Sequence, residues 1–104
     1  MPTKYNLVYL APAAEDLEEI VKYHLVNAGV ESGRAIYQTI KTEIATLMRF
    51  SLAGQLHPDP MLAAQNYRKL VLTKTYVAIY KVIDETVYIY RIVNGKTDYS
   101  KLLY

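Results

Sequence analysis

Two runs rich in Val, Ile and Tyr, Tyr76–Ile83 and Thr86–Val93, stand with only Asp84-Glu85 between them. β-Branched and aromatic side chains suit a pleated, half-buried surface, and so short a gap reads as a tight β-hairpin. The turn lacks the Gly or Asn that two-residue loops favour, which leaves the register open. With a two-residue turn, Ile83 pairs with Thr86, Lys81 with Tyr88, Ile79 with Tyr90 and Val77 with Ile92. One face then carries Tyr76, Ala78, Tyr80, Val82, Val87 and Ile89. The other carries Val77, Ile79, Lys81, Tyr88, Tyr90 and Ile92 and is nearly as apolar. Such a hairpin has two faces to cover, and the rest of the chain offers one element large enough for the task. The second face is therefore expected to meet a partner; the alternatives are a homodimer through this sheet or a different register.

The element that covers the first face lies upstream. Tyr5–Leu10 reads as a strand ended by Ala11-Pro12, and Pro12 suits the first turn of a helix, where its missing N–H costs nothing. Glu15, Asp16, Glu18 and Glu19 follow, with negative charge near the positive helix end. Leu17, Ile20, Val21, His24 and Ala28 recur at helical spacing, and Asn27-Ala28-Gly29 is a stop signal. Ser32 is placed to cap a second helix with the stripe Ile36, Ile40, Ile44, Leu47 and Met48. About four residues between the helices make an antiparallel hairpin. Ser51–Asn66 has no clear period and is long for a connection, so it is expected to be functional or partly mobile. Tyr67–Leu72 is a further strand. The order is β-α-α-β-β-β in one α+β domain over residues 1–104, an antiparallel C-terminal sheet packed on an N-terminal helical hairpin.

Charge divides along the chain. Residues 67–104 hold seven of the twelve basic side chains, three of the ten acids and seven of the eleven tyrosines. A positive, aromatic sheet segment suits polyanions, above all RNA or DNA. The chain has no cysteine, which excludes disulfides, thiolate metal sites and a thiol nucleophile. Its two histidines form no cluster, so no metal or other cofactor is expected. No signal-peptide core is present, and no apolar stretch approaches the roughly 20 residues that span a bilayer. A cytoplasmic protein without membrane contact is expected.

Three segments carry a resemblance to a known family. Tyr9-Leu10-Ala11-Pro12-Ala13-Ala14-Glu15-Asp16-Leu17-Glu18-Glu19-Ile20 is similar to the strand-to-helix opening of the RelE/ParE toxins of type II toxin–antitoxin modules. Tyr67-Arg68-Lys69-Leu70 followed by Tyr76–Val82 resembles their Y-R-x-L…Y-x-x-x-Y-x-V core. Val87–Tyr99, ending in Leu102-Leu103, resembles their closing strand and tail. The match covers nearly the whole chain, in order and spacing.

The resemblance implies a toxin held by a small cognate antitoxin that wraps its surface. It implies one of two activities: ribosome-dependent mRNA cleavage, as in RelE-like members, or poisoning of DNA gyrase without a nuclease site, as in ParE-like members. A relative that has lost activity and survives as an antitoxin-binding module is the third reading. Cleavage is taken first, as a possible endoribonuclease activity. Attack by a 2′-hydroxyl needs a base, an acid and cations on the phosphate. Carried over position by position, the catalytic candidates are Arg68, Lys96 and Tyr99. Lys74, Lys81, Tyr88, Tyr90 and Arg91 are candidates for contact with partner or nucleic acid, with Arg91 also read as an internal ion-pair partner of Asp98. Val77 stands where the ribonucleases carry arginine, Asn94 where many carry His or Tyr, and Thr97 where Arg is common. His57 and Asp59 make an acid–base pair on paper, and His24 belongs to the first helix's apolar stripe.

Overall fold

The computed structural model describes residues 4–96. Strand β1 (Asn6–Tyr9) leads into α1 (Ala11–Ala28) and α2 (Val30–Ala45), which ends in a 3₁₀ turn over Thr46–Met48. β2 (Gln55–Leu56), α3 (Pro60–Ala64), β3 (Arg68–Val71), β4 (Tyr76–Ile83) and β5 (Thr86–Asn94) follow. The sheet runs β1-β5-β4-β3-β2; β1 lies parallel to β5 and every other pair is antiparallel. No helix among the described residues is long and apolar enough to cross a membrane.

The α+β architecture agrees with expectation, while the joints differ. Pro12 falls in the first turn of α1, but the helix opens at Ala11, so its acids stand beyond the first turn. The two helices meet at Gly29 alone rather than across about four residues. That residue is the C-cap of one helix and the N-cap of the next, at φ 92°, where a side chain would be strained. Ser32 consequently lies inside α2, and its hydroxyl meets His24 Nδ1 at 3.4 Å instead of capping. Ala13, Leu17 and Ile20 of α1, with Ile40 and Ile44 of α2 and Leu47, are buried against Ala78, Tyr80, Val87 and Ile89. Ala28, expected on the stripe, is exposed because the hairpin tip runs past the sheet.

The β4–β5 turn is the expected two-residue loop, with Asp84 at φ 54°, a conformation that Asp tolerates. Ile83–Thr86 and Lys81–Tyr88 pair as expected, and then a bulge intervenes at Ile79/Tyr80. Beyond it Ile79 opposes Arg91, and Val77 opposes Val93. One extra residue on a strand exchanges the faces of everything after it. Ile92 therefore joins the helix-side core, and Val93 takes the far side.

The far face is not left bare, contrary to the expectation from sequence. The 51–66 segment folds back over it: Leu62 of α3 is fully buried with Ile79, Val77, Tyr67 and Val93, and Tyr90 packs at the margin. Asp59 caps α3 by accepting a hydrogen bond from the Met61 N–H at 2.9 Å. Aperiodicity concealed this element because α3 is a single capped turn, too short to show a helical stripe.

Candidate functional site

The residues of β3 alternate between faces. Arg68 lies opposite Tyr80, a helix-side core residue, whereas Lys69 lies opposite Ile79 on the far side. Arg68 is accordingly turned inward. Its Nη1–H donates to the Gly54 carbonyl at 2.8 Å, and the Gly54 N–H donates to the Tyr80 hydroxyl at 2.9 Å. Both backbone polar groups of Gly54 in the 51–66 segment are thus held by two side chains of the sheet. Burial raises the Tyr80 pKa above that of a free phenol, and the Gly54 N–H and the Arg68 charge partly oppose the shift.

On the far face Lys69 meets two of the other cations. Lys69, Lys74 and Lys96 line one groove of about 420 Å³, floored by Val71, Val77 and Gly95. Thr73, Thr75 and Asn94 also line it, and among the described residues the lining contains no carboxylate and no imidazole. Three lysines beside apolar Val71 and Val77 make the groove positive, a character that suits anions. The structure brings Lys74 and Lys96 together and places Arg68 elsewhere; Tyr99 and Asp98 lie outside the described residues. Lys69 was overlooked among the candidates, although its place next to Arg68 on a strand already sets it on the opposite face.

The remaining candidates are engaged within the fold. Lys81 Nζ sits 4.1 Å from the Tyr67 ring centroid and 5.4 Å from that of Tyr90, and the two rings pack edge-on at 5.1 Å. Tyr88, opposite Lys81, is half-buried. Arg91 pairs with Asp16, its Nε and Nη2 donating to the two carboxylate oxygens at 2.7 and 2.8 Å, while the expected partner Asp98 lies outside the described residues. The Ile92 N–H donates to the same carboxylate at 2.9 Å. The hydrogen bond to Asp16 raises the Arg91 pKa further above its already high value, despite partial burial. Alternation from Val87 and Ile89 sets Arg91 towards the helices, but nothing in the local pattern names Asp16, 75 residues away, as its partner.

His57 and Asp59 do not face each other as acid and base. The Asp59 backbone N–H donates to His57 Nδ1 at 3.0 Å, and the carboxylate serves as the α3 cap. The imidazole is buried. Burial lowers its pKa below 6.5, Lys69 lowers it further, and Asp59 opposes. A histidine held neutral in the fold takes up protons more readily when unfolded, so its contribution to stability is present above about pH 6.5 and lost as pH falls through its folded pKa. Thermal midpoints are expected to fall from about pH 7 towards pH 5 more steeply in the wild type than in His57→Gln. Parallel curves would assign the acid sensitivity to other groups. Among the described residues no group of three or more His, Cys, Asp or Glu side chains is placed to hold a metal ion.

A helical hairpin packed on a five-stranded sheet, with a lysine-lined groove on its far face, defines a small α+β protein of toxin-like architecture. Residues 7–99 match the family model described as the ParE toxin of the type II toxin–antitoxin system parDE. The chain belongs to this family. Its fold is similar to that of a chain in the chromosomal ParDE toxin–antitoxin system of P. aeruginosa, with 24% identity, TM-score 0.76, and 89% of this chain and 98% of that one covered. It is also similar to a chain of the RelBE2 toxin–antitoxin complex of Mycobacterium tuberculosis, with 20% identity, TM-score 0.64, and 93% and 98% covered. A search of curated proteins found no match.

Proposed function

We propose that this toxin arrests growth by binding DNA gyrase without hydrolysing RNA, and that a cognate antitoxin of the same module neutralises it. The observation that carries the reading is the make-up of the groove: Lys69, Lys74 and Lys96 line it with Val71 and Val77, and the described residues supply no carboxylate or imidazole to the lining. Such a site binds charge, whereas cleavage by a 2′-hydroxyl requires a positioned base and acid as well. Arg68 and Arg91, the two arginines of the C-terminal strands, are committed to Gly54 and Asp16. Membership of the ParE family supports the same choice. The antitoxin partner is supported by the two similar structures, both from toxin–antitoxin systems.

Ribosome-dependent mRNA cleavage is the second reading, favoured by the groove's fitness for a phosphate backbone and by the RelBE2 likeness. Induced expression separates the two. Gyrase poisoning is expected to give DNA damage and supercoiling defects with transcripts intact, and a Lys69→Ala/Lys74→Ala/Lys96→Ala protein is expected to relieve the arrest. Transcripts cut at translated codons would replace the first reading with the second. Normal growth with folded toxin present would overturn both and leave an antitoxin-binding module.

A further inference from the structure

A second concavity, of about 180 Å³, lies between α1 and the end of β5. Its chemistry is the reverse of the lysine groove's. Glu19 and Asp16 supply carboxylates, Tyr23 and Tyr76 supply rings, and Asn94 supplies an amide, over a floor that includes Ile20. Asp16 is occupied by Arg91, but Glu19 forms no ion pair among the described residues. The rings are held in place. His24 packs edge-on against Tyr23 at 5.6 Å and against Tyr76 at 6.0 Å, and its Nε2 lies 3.2 Å from the Tyr76 hydroxyl. Tyr23 nevertheless leaves 62% of its surface to solvent, an unusual cost for a ring so fixed.

The Glu19 carboxylate adds to the negative field around Arg91 without forming an ion pair among the described residues, and beside the Tyr23 and Tyr76 rings it can attract a further cation. The field around it agrees: Glu15, Glu18 and Glu19 line a neighbouring hollow with Lys22 as the one base. Arginine suits the socket better than lysine, because a planar guanidinium stacks on a tyrosine while its forked donors reach a carboxylate, and its aliphatic stem covers the apolar floor. The occupant also has a direction. Asn94 lines both this socket and the lysine groove, so the two sites adjoin around the end of β5.

We infer that the Glu19–Tyr23–Tyr76 socket receives an arginine side chain of the cognate antitoxin, whose neighbouring acidic residues lie in the groove of Lys69, Lys74 and Lys96. The inference rests on the antitoxin part of the reading above and is independent of the toxin's target. The paired charges of opposite sign set the antitoxin's direction across the end of β5, since reversing it would bring like charges together.

Two measurements on the full chain test this. In the first, N-acetyl-arginine amide is titrated into the toxin, with the lysine and glutamate analogues as comparators, and amide shifts are followed. The arginine compound is expected to perturb residues 19–24 and 92–94, the lysine compound more weakly and the glutamate compound not at all. Equal lysine binding would overturn the choice of arginine, and no response at these residues would overturn the socket. In the second, affinity is measured for the small protein encoded in the neighbouring reading frame. Glu19→Gln and Tyr23→Ala are each expected to weaken it roughly tenfold or more, with circular dichroism and thermal midpoint unchanged. Wild-type affinity in both variants would overturn the inference. The first measurement needs neither toxicity nor an antitoxin, so failure of the gyrase reading leaves its outcome intact.

Discussion

An Asp16→Ala protein is expected to lose about 3–5 kcal/mol of folding stability, the range for breaking a largely buried ion pair from one side. The Asp16 carboxylate accepts two hydrogen bonds from Arg91 and one from the Ile92 backbone. Both side chains are largely withdrawn from water, with 13% of Asp16 and 21% of Arg91 exposed. Alanine would strand the guanidinium and orphan the Ile92 N–H on the edge of β5 that β1 no longer covers, β1 having ended opposite Ile89. Arg91→Lys is expected to cost less than Asp16→Ala but more than a surface change, because lysine keeps the charge and loses the fork. Urea unfolding of both single variants and of Asp16→Ala/Arg91→Met checks the account. The double variant should lose clearly less than the sum of Asp16→Ala and Arg91→Met, since apolar replacement of both partners leaves no stranded charge. Additive losses would mean that the pair is not coupled.

Gly54→Ala is expected to be the next most damaging change, at about 3 kcal/mol, towards the upper part of the range for overpacking. A Cβ built on Gly54 would lie 2.7 Å from Tyr80 Cε1 and from its hydroxyl, and 2.8 Å from the Lys69 carbonyl oxygen. Tyr80 is fully buried and Lys69 O belongs to the sheet backbone, so neither can yield cheaply. The peptide would have to withdraw, breaking its bonds to Tyr80 and Arg68 together. Tyr80→Phe removes one of those bonds without a clash and is expected to cost only about 1–2 kcal/mol. Denaturant midpoints should therefore rank wild type, Tyr80→Phe and Gly54→Ala in falling order. A Gly54→Ala protein as stable as Tyr80→Phe would show that the 51–66 segment can shift freely. The same variants bear on function, because that segment supports the sheet from which the lysine groove is built.

Much of the fold is legible from local pattern. The Ile36–Ile40–Ile44 stripe, Pro12 in the first turn of α1 and the Asp84-Glu85 turn each state a local preference that the finished structure keeps. The candidate site is less legible. Lys74 and Lys96 share a groove as neighbours in space, yet Arg68 is turned away from them by one step of strand alternation, and Lys69 takes the position facing the groove. Leu62 belongs to the short Met61-Leu62-Ala63-Ala64 run in an aperiodic stretch, and nothing local announces that it covers Ile79. Arg91 reads as an internal ion-pair partner, but its actual partner Asp16 lies 75 residues away and no local pattern shows it.

By itself the sequence determined β1, the two long helices and β3 to β5 in their order, the helix-side face of the sheet as far as the bulge and the excess of positive charge in the last third. These follow from short-range rules, in which a period of two or of 3.6 residues and a turn's dihedral angles act over a few positions. Only the tertiary structure decided that the far face is roofed by α3, that Ile92 and Val93 exchange sides, that Arg91 belongs to Asp16 and that three lysines and an acidic aromatic socket adjoin at Asn94. Each of those outcomes depends on a one-residue register shift or on a contact between distant segments. Such contacts are settled by burial and charge pairing summed over the whole molecule, and no local window contains both partners.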